Sequence, residues 1–146
     1  MVRHLALALA LFLVVAFPAG ATADIGFRGK SGQGRLVTLR TDDGGTPERV
    51  GIRWAAPCDP PPAVSARTWF RPPFDAVTRT RFVDAGTIRG RIGDGLRVVD
   101  HVRIVGRRVS ERRWRGTFRV RVRVLRGGRL VARCYKRTSW RVLRRR

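Results

Sequence analysis

The most regular stretch of the chain is residues 113–124, where Trp114, Gly116, Phe118, Val120, Val122 and Val124 alternate with Arg113, Arg115, Thr117, Arg119, Arg121 and Arg123. A period of two marks a strand with one buried and one solvated face. Arg126-Gly127-Gly128-Arg129 follows. Its glycines tolerate the positive φ of a primed turn, so a tight hairpin is predicted, with Leu130, Ala132 and Cys134 turned inward on the return strand. Trp140 and Val142 continue that inner face.

Shorter segments repeat the pattern. Val37 and Leu39 alternate with Thr38 and Arg40, Asp42-Asp43-Gly44-Gly45 turns the chain, and Val50, Ile52 and Trp54 share the next inner face. Residues 57–62 carry four prolines around Cys58 and are expected to break pairing as a rigid loop. Residues 67–70 and 79–83 read as short strands flanking Pro72-Pro73. Ile88, Gly90 and Ile92 are expected to pair, across Gly93-Asp94-Gly95, with residues 96–105. Asp100 and His101 interrupt the alternation there, which predicts a β-bulge. Gly26, Gly29, Gly32 and Gly34 are read as bend and turn residues of a first hairpin. No amphipathic helical period follows residue 23. The predicted fold is all-β, an antiparallel meander of eight to ten strands forming a small barrel or sandwich.

Residues 1–23 have a different character. Arg3 precedes an apolar run from Leu5 to Phe17, and Ala21-Thr22-Ala23 supplies small residues before Asp24. This order predicts a cleavable signal-peptide helix over 1–23, followed by a single all-β domain over 24–146 that is secreted, extracellular or associated with the cell wall. The apolar run is shorter than the roughly 20 residues a membrane-spanning helix needs. In an exported chain the only two cysteines, Cys58 and Cys134, are expected to form a disulfide.

Charge sharpens the picture. The sequence has 32 basic and 10 acidic residues, and only Arg3 of the basic ones lies in the predicted leader, so 31 against 10 leaves +21 on residues 24–146. Such a field attracts polyanions and repels further copies of the chain. All but two of the basic residues are arginines, a bias that a GC-rich genome also produces. Solvated strand faces and a ligand site are therefore both open readings. Arginine forks suit phosphate and carboxylate bidentately, and alternate positions repeat about every 6.8 Å along a strand. Arg115, Arg119, Arg121 and Arg123 are the candidate anion-binding residues. Trp69, Tyr135 and Trp114 are candidate stacking aromatics for single-stranded nucleic acid, although no nucleic-acid motif is present. A cell-wall phosphate polymer or an acidic glycan is an equally suitable partner.

The chemistry of catalysis is sparse. After residue 23 the one histidine is His101, no Gly-x-Ser-x-Gly elbow exists, and Asp100 would project to the opposite strand face from His101. Gly29-Lys30-Ser31 lacks the preceding glycine of a phosphate-binding loop. No Cys/His spacing suggests a metal, and no motif implies a cofactor. Asp84, Asp94, Asp100 and Glu111 are the carboxylates available to a hydrolase, whose pairing depends on three-dimensional separation. A small barrel holding an apolar ligand inside would instead need an interior not filled by Trp54, Phe118 and Trp140.

The ordered segments Phe27-Arg-Gly-Lys-Ser-Gly-Gln-Gly-Arg-Leu-Val, Ile52-Arg-Trp-Ala-Ala-Pro-Cys58, Trp114-Arg-Gly-Thr-Phe-Arg-Val and Ala132-Arg-Cys134 resemble an uncharacterised group of secreted, arginine-rich small β-proteins from GC-rich bacteria. The resemblance implies a shared β-domain with a cysteine pair, and no assigned activity. The function expected from the sequence is thus a secreted binding or structural module whose arginine-rich strand faces contact anionic polymers at the cell surface.

Overall fold

A computed structural model describes residues 24–146, and the predicted signal peptide lies outside them. The strands are β1 (Ile25–Ser31), β2 (Leu36–Thr41), β3 (Pro47–Ala56), β4 (Cys58–Asp59), β5 (Val64–Phe70), β6 (Ala76–Val77), β7 (Arg81–Ile92), β8 (Leu96–Ser110), β9 (Arg113–Arg126) and β10 (Arg129–Arg144). All pair antiparallel in one sheet of order β5-β3-β2-β1-β10-β9-β8-β7-β6, with β4 added beside β10. The architecture is an antiparallel half-barrel. Most strands are neighbours in space because they are neighbours in sequence, and β1 against β10 joins the first and last strands of the described residues.

The sheet has to curl. Strands β5 and β6 stand at its two edges, yet only residues 71–75 connect them, so the edges lie within roughly 20 Å. Rings meet across the enclosed space. Trp54 on β3 and Phe118 on β9 have centroids 6.2 Å apart, although four strand spacings, about 19 Å, separate these strands along a flat sheet. Phe74, on the connecting segment, packs on Phe82 with centroids 5.7 Å apart.

Two glycines make this closeness possible. Trp140, Gly116, Gly106 and Phe82 lie side by side in register across β10, β9, β8 and β7. The two rings lean over the glycines until their centroids are 6.0 Å apart. A Cβ at Gly106 would strike the Phe82 ring, and one at Gly116 would strike Trp140 and the Val105 carbonyl. Trp54, Trp114, Phe118 and Trp140 are buried, so the inner face is filled by its own side chains. Among the described residues these rings occupy the interior space that an apolar ligand would need.

Cys58 and Cys134 are joined by a disulfide and face each other in the β4–β10 ladder. The proline-rich segment therefore does contribute a pair of strand residues, where an unpaired loop was expected. Gly26 and Gly29 likewise belong to β1 rather than to a turn. Gly29 is required there because a Cβ would collide with the Arg141 carbonyl on β10. The bulge predicted at Asp100 and His101 is absent: the β8–β9 register runs unbroken from Leu96 to Arg108 and shifts only between Arg108 and Ser110. Asp100 keeps the alternation, taking an inner position between Ile88 and Val122, so the polar residue there marks a buried carboxyl and not a backbone irregularity.

Candidate anion-binding face

Arg115, Arg119, Arg121 and Arg123 all stand exposed on the outer face of β9, as the alternation predicts. Register places each in a different row across the sheet. Arg115 lies between Arg141 and Arg107, and the row extends to Lys30 on β1 and Arg81 on β7. Arg119 lies between Arg137 and Arg103. Arg121 lies between Tyr135 and His101, and Arg123 between Arg133 and Val99. Neighbours within a row are one strand spacing apart, about 4.8 Å.

The row through Arg115 thus carries five cations on five adjacent strands with no carboxylate among them. Like charges directly opposite are destabilising. Two unit charges 5 Å apart repel by about 0.8 kcal/mol even at the dielectric of water. Among the described residues the one ion pair is the exposed Arg40–Asp24 contact at 3.5 Å. The cationic rows are therefore held together by the folded sheet without internal counter-charges.

Between the Arg115 row and the Arg119 row runs a row of short side chains, Ser139, Thr117 and Val105. An open groove of about 820 Å³ lies over it, lined along one side by Lys30, Arg141, Arg115 and Arg107, and reaching the β1–β2 turn at Gly32 and Gly34. The groove exists because long basic side chains flank short ones. Its residues come from β1, β8, β9 and β10, and of the candidates named from sequence it includes Arg115 alone.

The three stacking candidates fare differently. Trp114 is fully buried. Trp69 is partly exposed, but the guanidinium carbons of Arg67 and Arg49 stand 4.0 and 4.1 Å from its ring centroid. Arg67 precedes Trp69 on β5, while Arg49 lies beyond Gly51, its cross-strand partner, so the two approach from opposite sides. The ring occupies the space that a Cβ on Gly51 would need. Such cation–π contacts compete with a nucleobase for the ring. Tyr135 remains exposed, with the Arg121 guanidinium 5.9 Å from its ring centroid.

The four carboxylates named from the sequence do not converge. Asp94 sits in the β7–β8 turn and Glu111 in the β8–β9 turn, at opposite ends of β8. Asp84 lies opposite Ile104, four residues along β8 from Asp100, or about 13 Å. Burial raises the Asp84 carboxyl above its ordinary range, the Ala85 N–H opposes that shift, and the charge of Asp75 adds to it. Asp100 is buried, with Oδ1 lacking a hydrogen-bond partner, and its carboxyl is likewise raised by desolvation and partly lowered by His101. His101 faces outward, as expected, 3.0 Å from Thr87 Oγ1 through Nδ1. Among the described residues no three His, Cys, Asp or Glu side chains are grouped to hold a metal ion, and no helix is long and apolar enough to cross a membrane. Comparison with protein-family models, with curated proteins and with solved structures returned no match.

Proposed function

We propose that this chain is a secreted binding module whose outer face attaches to anionic polymers at the cell surface. The observation that carries the reading is the register of the basic residues: five stack in one row across β1, β10, β9, β8 and β7 and three more in a second row across β10, β9 and β8, with no carboxylate in either row. An anion lying on such a row relieves repulsion and gains charge-assisted bonds at once. The disulfide between Cys58 and Cys134 is compatible with an oxidising compartment outside the cytosol. The resemblance to secreted arginine-rich β-proteins belongs to the same proposal.

Retention of the purified chain on immobilised polyuronate, poly(glycerol phosphate) and oligo(dT) over a salt gradient tests the reading. Binding at low salt that weakens steadily as salt rises is expected, because each contact releases bound counter-ions. Absence of retention on all three at low salt would end the proposal.

A further inference from the structure

We infer that the ligand lies across the strands, in the groove floored by Ser139, Thr117 and Val105, and that it is an acidic hydroxyl-bearing polymer, a glycan or a polyol phosphate, rather than a nucleic acid. The inference deepens the polyanion reading and rests on it. Four observations place the site. The Lys30–Arg141–Arg115–Arg107–Arg81 row forms one wall, continuous for four strand spacings, or about 19 Å. The row of Arg137, Arg119 and Arg103 runs parallel on the far side of the floor. Arg115 and Arg119 are four residues apart, so the two rows stand about 13 Å apart at the backbone, enough for one extended chain. The floor is open, since Thr117 and Ser139 are exposed and Val105 is only half-buried.

The floor also decides the ligand's chemistry. Thr117 and Ser139 offer hydroxyls, each able to donate one hydrogen bond and accept two, and these match sugar or polyol hydroxyls between the charged groups. No exposed aromatic ring stands on the floor to stack a base: Tyr135 lies four residues from Ser139 along β10, about 13 Å away, and Trp69 stands on β5, which does not line the groove. Along β9 itself the rows differ from one another, since Arg121 has Tyr135 and His101 beside it and Arg123 has Val99. A polymer running along β9 would cross unlike surroundings. One running across the strands meets a cation at every step.

Three variants of the full chain test this on the same three matrices. Arg107→Gln, Arg115→Gln and Arg141→Gln together remove one wall. Arg89→Gln, Arg97→Gln and Arg126→Gln remove equal charge from exposed positions outside the groove. Thr117→Phe changes no charge and fills the floor with a residue of good strand propensity. On polyuronate or poly(glycerol phosphate), the wall variant and Thr117→Phe are expected to bind on the order of tenfold more weakly, the other triple within twofold of the parent. The polyuronate and the polyol phosphate separate a carboxylate from a phosphate ligand. Equal loss in both triples, or unchanged binding by Thr117→Phe with its thermal unfolding intact, would overturn the groove while leaving general polyanion binding in place. Tighter binding of oligo(dT) than of either hydroxyl-bearing polymer would overturn the ligand class. A parent chain retained on none of the matrices would remove the polyanion reading itself.

Discussion

At the scale of single residues, the inner face depends on side chains that are absent as much as on those present. Gly116 has no space for a Cβ, since the Trp140 ring and the Val105 carbonyl oxygen occupy it. Gly116→Val should therefore lower stability by about 3 kcal/mol or more through overpacking, read as a lower urea midpoint. Gly86→Val is the control: no atom lies within 4 Å of the point where its Cβ would stand, and a β-branched residue in an exposed strand should change stability by less than about 0.5 kcal/mol or improve it. Asp100 contributes in the opposite sense. Its folded-state pKa is raised above the ordinary 3.8, chiefly by burial. The native state then holds a proton that the unfolded state has lost, so stability falls as pH rises from 3.8 through the folded pKa. Asp100→Val, between Ile88 and Val122, should raise stability at pH 7 by about 1–3 kcal/mol, because the unpartnered buried oxygen is removed. The gain should shrink on acidification toward the ordinary carboxylate range. A gain that is the same at every pH would show that the ionised carboxylate bears no desolvation cost.

At the scale of elements, alternation in the sequence was enough to assign faces but not to align strands. The inner set Trp114, Phe118, Val120, Val122 and Trp140 is buried as the period of two implies. The rows of the groove could not be counted from the turns. The Gly127-Gly128 hairpin sets Arg126 opposite Arg129, and continuing that count would oppose Arg115 to Trp140, an outer residue to an inner one. An irregularity between Leu130 and Ala132 moves the register by one, bringing Arg115 opposite Arg141. That single extra residue leaves only a faint sequence signal, the adjacent apolar pair Leu130 and Val131, both exposed. Arg141 was missed as a site residue for this reason, Arg107 because a similar shift falls between Arg108 and Ser110 on β8, and Lys30 because no turn joins β1 to β10. The β7–β8 hairpin shows the complementary limit. Its pairing across Gly93-Asp94-Gly95 is as the sequence implies, but Ile88 and Ile92 are exposed because β6 covers β7 only at Phe82 and Val83. Amides on the unpaired side of residues 85–92 should accordingly exchange with solvent hydrogen far sooner than those of residues 117–122 in β9, which is paired on both sides. Equal protection in the two segments would mean that the β7 edge is covered in solution.

At the scale of the whole molecule, a covalent bond and a filled interior hold a strongly cationic sheet closed. The disulfide spans 76 residues of sequence, and the chain-entropy relation assigns such a loop about 4.5 kcal/mol of stabilisation. Against it stands the repulsion among 31 basic residues of the described chain with 10 acidic ones, and a single exposed ion pair. Exposed pairs of that kind contribute about 0–1 kcal/mol, so screening them forfeits little. Screening the repulsion gains more, since raising ionic strength from about 0.01 to 0.1 M shortens the Debye length from roughly 30 to 10 Å. Tm should therefore rise with added sodium chloride over that range, the reverse of what a fold built on surface ion pairs would show. A polymer seated in the groove should raise it further and at constant ionic strength, by about 2.7 kcal/mol of stability at a hundredfold excess over Kd. Thr117→Phe should keep the salt response, which belongs to the total charge, and lose the polymer response, which belongs to the groove. If salt and polymer move Tm in proportion for the parent and for Thr117→Phe alike, the arginines act as a diffuse field and the rows confer no site.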